Sequence, residues 1–181
     1  MTASPTEPKT IALIGARGSG KTAVGKALAS LLGGDHVDTD DLVVERAGKS
    51  IAAIFADHGE AAFRALEMAA IARAVSLAPS VISVGGGAVV DQTNTARLRA
   101  IATVVWLTAP PEELNRRIQA DASNVDRRPP LTERCGIDET RELLGQRTPS
   151  YEYAADMKID TTDKTPEAVA AEIAERLAQA R

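Results

Sequence analysis

The stretch Gly15-Ala16-Arg17-Gly18-Ser19-Gly20-Lys21-Thr22 constrains this chain more than any other. It reads G-x-x-x-x-G-K-T, follows the apolar run Ile11–Ile14 and opens a helical pattern reaching Leu32. A phosphate-binding loop needs that strand–loop–helix setting. Glycines let backbone N–H groups converge on phosphate oxygens, and the helix N-terminus adds unpaired N–H groups and the positive end of its dipole. Lys21 is then placed to reach the β- and γ-phosphates, and the Thr22 hydroxyl to ligate Mg²⁺. Gly18, Ser19, Gly20, Lys21, Thr22 and Ala23 are the expected nucleotide contacts. A plain Gly/Ser turn lacks both flanks, so the motif implies a nucleoside triphosphate site.

Composition narrows the classes. With 181 residues, 44% apolar and 25% charged, the chain has the length and make-up of one soluble globular domain over 1–181. A net charge of −4 argues against a nucleic-acid partner, which calls for a basic footprint. Cys135 stands alone and forms no intrachain disulfide, a usage that fits a reducing, cytoplasmic setting. No apolar run approaches the roughly 18–20 residues that span a membrane. Met1–Lys9 lacks the apolar segment of a signal peptide and is expected to be a short frayed tail.

Thr10–Ile14 is continuously apolar, as in a central strand of a parallel sheet. Lys21–Leu32 follows as a helix with Val24, Leu28, Leu31 and Leu32 at helical spacing, ended by Gly33-Gly34. His36–Asp38 reads as a second strand. Leu42–Ala47 and Ile51–Asp57 read as short helices broken by Gly48 and Gly59, and Glu60–Ser76 as a longer one with Phe63, Leu66, Ala70, Ile71 and Ala74 on one face. Strands are expected at Ser80–Val84, Thr103–Leu107 and Met157–Asp160. Helices are expected near Asp91–Ile101, Pro111–Gln119, Glu139–Arg147 and Thr165–Ala180. Ala120–Cys135 has no sustained periodicity and reads as a long exposed loop, a mobile lid. Strands alternating with helices predict an α/β fold, three layers around a five-stranded parallel sheet with right-handed crossovers. Ligands then sit at the carboxyl ends of the strands, where Gly15–Thr22, Asp38–Asp40 and Gly85–Gly87 share one crevice.

Within that crevice Asp38 and Asp40 can serve different ligands: one carboxylate near Thr22 for Mg²⁺, the other as general base toward a substrate hydroxyl. Helix capping is the plainer reading, and it suits Asp41 better than Asp38 and Asp40. The strand Ser80–Val84 runs into glycines rather than an aspartate, so Asp38 is the best-placed metal carboxylate. Gly85-Gly86-Gly87 offers bare backbone N–H groups as a substrate floor. Spacing alone makes Arg64 and Glu67 an exposed helical ion pair. Between Arg116 and Arg147 lie seven arginines and no lysine. Part of that set is solvated surface, and the rest suits a segment that handles anions.

G-A-R-G-S-G-K-T, D-T-D at Asp38–Asp40, F-R-A-L-E at Phe63–Glu67, G-G-G-A-V at Gly85–Val89, R-P-P-L at Arg128–Leu131 and R-T-P-S-Y at Arg147–Tyr151 occur in this order. In that set the chain resembles the shikimate kinase family over nearly its whole length. The resemblance implies ATP-dependent phosphorylation of the shikimate 3-hydroxyl, on the route to chorismate and the aromatic amino acids. It implies Asp40 as base and substrate contact, and Arg64 and Arg147 on the shikimate carboxylate, with Gly85–Gly87 lining the substrate site. It places the lid residue Arg128 on the ATP phosphates, Lys164 beside the adenine, and Thr22 and Asp38 at the metal. Arg117 is the best match for a second residue flanking adenine. Pro130 and Ser150 stand where leucine is usual in the family, and Gln119–Arg127 is a few residues longer. The family leans to a monomer. Other acceptors on the same fold, gluconate or a nucleoside monophosphate, are the nearest alternatives, and a nucleotide switch without an acceptor is a more distant one.

Overall fold

The computed structural model describes residues 10–121 and 136–180, so the expected tail Met1–Lys9 and nearly all of the expected lid, Arg128 included, lie outside the described residues. The elements run β1 (Thr10–Ile14), α1 (Lys21–Leu32), β2 (His36–Asp38), α2 (Thr39–Ala47), α3 (Ile51–Leu77), β3 (Val81–Ser83) and a 3₁₀ turn Ala88–Val90. After the turn come α4 (Gln92–Ile101), β4 (Ala102–Thr108), α5 (Pro111–Ala120), α6 (Ile137–Ala154), β5 (Met157–Asp160) and α7 (Pro166–Gln179). The five strands are all parallel, in the order β2-β3-β1-β4-β5.

The continuous apolar run of β1 follows from its place in the middle. All five of its residues are buried, because helices cover both faces of a parallel sheet. Successive side chains alternate between the faces. Ala12 and Ile14 join Ile82, Val104, Trp106 and Tyr151 in one core layer. Ile11 and Leu13 join Leu107, Ile159, Val24, Leu28, Val169 and Ile173 in the other. A third, smaller cluster of Val43, Ile51, Ile54, Phe63 and Ala70 holds α2 against α3.

Some elements depart from sequence expectation for local reasons. Leu31 and Leu32 are 57% and 46% exposed, since α1 runs past the edge of the core before Gly33 stops it. Helix α2 begins at Thr39, not Leu42, and its cap is Asp38 rather than Asp41. The two expected helices follow one another directly as α3 and meet at a kink at Gly59, where φ is 74°, a conformation that favours glycine. The largest miss is α6, which continues seven residues past Arg147, through Pro149, to Ala154. Pro149 removes one helical hydrogen bond. Burial of Tyr151 and Ala154 beyond it keeps the chain helical. Among the described residues, no helix is long and apolar enough to cross a membrane.

Candidate active site

Strand register builds the site. Leu13 of β1 and Asp38 of β2 both pair with Ser83 of β3, so the three strands end at one level and release their following loops side by side. The loop after β1 needs glycine at 15, where φ is 144° and a Cβ would come 2.3 Å from the Leu107 carbonyl oxygen. Gly20 caps α1 with no side-chain acceptor, which leaves the first-turn N–H groups of α1 directed at the cleft. Lys21 Nζ folds back over the loop and donates to the Gly15 and Ala16 carbonyls, at 2.9 Å each. Ser19 is fully buried, its Oγ accepting from Lys21 Nζ at 3.5 Å, and it is not among the residues lining the cleft.

A cleft of about 500 Å³ opens here, lined among others by Gly18, Gly20, Lys21, Thr22, Ala23, Asp38, Asp40 and Gly86. Asp38 has two tasks. Its Oδ1 accepts the Asp40 N–H at 3.0 Å, capping α2, while Oδ2 accepts the Thr22 hydroxyl at 2.7 Å. Capping and a metal role are therefore compatible in one carboxylate. Among the described residues no group of three or more His, Cys, Asp or Glu side chains gathers to hold a metal unaided. A hydroxyl and one carboxylate are hard oxygen donors of the kind that hold Mg²⁺ together with phosphate oxygens, so these residues fit that ion. Asp40 lines the same cleft, from the first turn of α2.

Arg64 differs most from the reading by spacing. Its partner Glu67 is 2% exposed, with Arg64 Nη1 donating to Oε2 at 2.7 Å, while Arg64 Nη2 and Nε donate to Glu60 at 3.0 and 3.2 Å. This is a partly buried clamp, not a solvated surface pair. Desolvation opposes the Arg64 charge, but Glu67 and then Glu60 outweigh it and hold the guanidinium above its ordinary range. The clamp aims the fork at the glycine floor, with Nη1 2.9 Å from where a Gly87 Cβ would stand. The Gly85 N–H donates to Thr39 Oγ1 at 3.1 Å, and the Gly86 carbonyl accepts the hydroxyl of buried Tyr151. Arg147 lies one helical turn before Tyr151 on α6, is partly buried, and is not among the residues lining the cleft. It makes no ion pair with the described residues, unlike most of the other described arginines of its segment. Arg116 pairs with Glu113, and Arg141 with Glu112.

Arg117 also lines the cleft, held by Thr161 at the end of β5 (Nη1 to Oγ1, 2.9 Å; Nη2 to the carbonyl, 2.7 Å) and by Glu113 at 2.6 Å. Lys164 lies just beyond β5 and pairs with Glu172 at 2.8 Å on α7, outside the cleft lining. Sequence reasoning passed over Thr39, Tyr151 and Ser83. Each tie depends on a partner 46 or more residues away, a separation that no local pattern signals.

The family model described as shikimate kinase matches residues 17–178. The chain belongs to the shikimate kinase family. The shikimate kinase of Moorella thermoacetica is 45% identical over 94% of this chain and 95% of its own length. The structure of the Acinetobacter baumannii shikimate kinase in complex with shikimate superposes with a TM-score of 0.90 at 31% identity, covering 97% of this chain and 96% of that one. A gluconokinase from Sinorhizobium meliloti reaches a TM-score of 0.57 at 18% identity over 96% of this chain and 97% of that one, a likeness of fold alone. Family membership agrees with the ordering of the six motifs and with the kinase architecture of the sheet.

Proposed function

We propose that this chain transfers the γ-phosphoryl group of ATP to the 3-hydroxyl of shikimate, giving shikimate 3-phosphate and ADP. The observation that carries the assignment of roles is two anion-binding features at the carboxyl ends of neighbouring strands of one sheet. The phosphate-binding loop ends β1, and the Arg64 fork stands against Gly87 after β3. A kinase for a hydroxylated carboxylate needs both, one for each anion. Asp40, between them, accepts the proton of the attacking hydroxyl. Arg64 and Arg147 hold the carboxylate, with Gly85–Gly87 allowing the ring to approach the backbone closely. Phosphoryl transfer needs alignment and charge neutralisation more than covalent help. Lys21 and Arg128 neutralise the charge that develops on the transferred phosphoryl group. Thr22 and Asp38 hold Mg²⁺, which when bound neutralises charge on the β- and γ-phosphates. Lys164 and Arg117 flank the base end of the nucleotide. The enzyme acts as a monomer on these two small molecules.

ADP release from Mg-ATP, measured with shikimate, gluconate, AMP or CMP as separate acceptors, tests the proposal. Turnover that depends on shikimate, with shikimate 3-phosphate identified by mass, is expected. Turnover driven by gluconate or a nucleotide instead would keep the phosphate-binding loop and discard the acceptor site.

A further inference from the structure

His36 is half-buried on β2 and outside the cleft lining, and the reaction makes no use of it. Its Nε2 lies 2.8 Å from Ser83 Oγ, and that same Oγ lies 2.9 Å from the Lys21 carbonyl oxygen. A serine hydroxyl has one proton and a carbonyl can only accept. Ser83 therefore donates to Lys21, and the ring must carry a proton on Nε2 to donate to Ser83. Gly25 admits the pair: a Cβ there would stand 2.5 Å from His36 Nε2 and 2.7 Å from Ser83 Oγ. Only a bare α-carbon allows α1 to pack this closely on the two strands.

The end of this series touches the nucleotide site. The Lys21 carbonyl and the Thr22 N–H belong to one planar trans peptide and point in opposite directions. Thr22 is the second residue of α1, so its N–H has no partner within the helix and faces the cleft. Fixing the carbonyl from behind fixes the donor in front.

We propose that His36 is a positioning residue for the nucleotide phosphates, acting through Ser83 to orient the Lys21–Thr22 peptide so that Thr22 N–H meets a phosphate oxygen. The inference rests on the cleft being the ATP site. His36 never touches the nucleotide. Its contribution is a peptide already aimed before ATP arrives, the sense in which preorganisation raises affinity.

Calorimetric titration of ADP without metal, alongside steady-state kinetics, tests this on the wild type and the variants His36→Leu, His36→Gln, Ser83→Ala and His36→Leu/Ser83→Ala. Loss of one neutral hydrogen bond corresponds to roughly 3- to 10-fold in affinity. His36→Leu is expected to weaken ADP by about that factor and to raise KM for ATP, with KM for shikimate unchanged. His36→Gln, which keeps an N–H donor, is expected to restore most of the loss. The double variant is expected to be no worse than Ser83→Ala alone, the sign of two residues acting in one series. The chain has two histidines, so the ring ¹⁵N signals that His36→Gln removes are assigned directly, and they should show a proton on Nε2. Unchanged ADP affinity in His36→Leu, an equal rise in both KM values, or additive losses in the double variant would overturn the proposal. If His36→Leu does not fold, unchanged ADP affinity in Ser83→Ala overturns it alone. A wild type that binds ADP normally while His36→Leu does the same refutes only the positioning role. A wild type that does not bind ADP refutes the ATP site itself.

Discussion

One methyl group added at Gly87 should separate acceptor binding from everything else the protein does. Built on the backbone, the Cβ of Gly87→Ala stands 2.9 Å from Arg64 Nη1, 3.1 Å from Nη2 and 3.3 Å from Cζ. Favourable contacts between such heavy atoms lie near 3.5–4.0 Å, so the guanidinium must withdraw by roughly half an ångström. It does not swing freely, because Glu67 at 2.7 Å and Glu60 at 3.0 and 3.2 Å hold it. The backbone at Gly87, with φ −109° and ψ −3°, is open to any L-residue. The folded chain thus accepts alanine, and the loss falls on binding rather than on stability. A hydrogen bond to a charged group contributes about 1.5–3 kcal/mol, a factor of about 10–150. Displacement weakens the contact without abolishing it, so KM for shikimate should rise about 10-fold, at the low end of that range. Coupled ADP-release assays at saturating ATP and then at saturating shikimate separate the two constants, and a thermal melt monitors the fold. An unchanged KM for shikimate in a folded variant would refute the placement of the substrate carboxylate at the Arg64 fork. A matching rise in KM for ATP would refute the separation of the two anion sites.

Further outcomes follow from other residues. Asp40→Asn should lower kcat by about 10²-fold or more with ADP binding intact, as for a lost general base; near-normal turnover would remove Asp40 from that role. Tyr151→Phe deprives the Gly86 carbonyl of a donor in a fully buried setting, and should destabilise the fold by about 1–3 kcal/mol. A thermal midpoint equal to wild type would contradict it. Glu113 has its carboxyl held down at about 2, first by the Arg116 hydrogen bond and then by Arg117. A depressed carboxylate contributes stability that is complete above its unfolded value of 4.5 and is lost as pH falls through about 2. Glu113→Gln should flatten that part of the acid limb in melts from neutral pH downward, and parallel curves for the two proteins would refute the assignment.

The legible parts of this chain share one property: their signals are local. The phosphate-binding loop carries its function in eight consecutive residues whose flanks are strand and helix. The Thr165 cap with Pro166 at the next position fixes the start of α7, and the Thr165 side chain accepts the Ala168 N–H as that pattern requires. The uninterrupted apolar run of β1 placed it in the middle of a parallel sheet because only burial on both faces tolerates it. The order of six short motifs sufficed for the family.

Tertiary structure decided what depends on distant partners. Glu67 and Arg64 read as a surface pair by their spacing of three, and only the packing of α3 buries Glu67 and turns the fork to the glycine floor. Asp38 proved to be both cap and partner of Thr22, since register between β2 and β3 brings it level with the end of β1. Helix α6 survives Pro149 because burial of Tyr151 outweighs one lost backbone hydrogen bond. The series from His36 through Ser83 to Lys21 spans β2, β3 and α1, and no window of sequence contains it. The sequence by itself determined the chemistry of the nucleotide loop, through backbone geometry that glycines dictate locally. The fold alone determined how each charge is aimed, through burial and through hydrogen bonds between strands that the chain brings together only once it is folded.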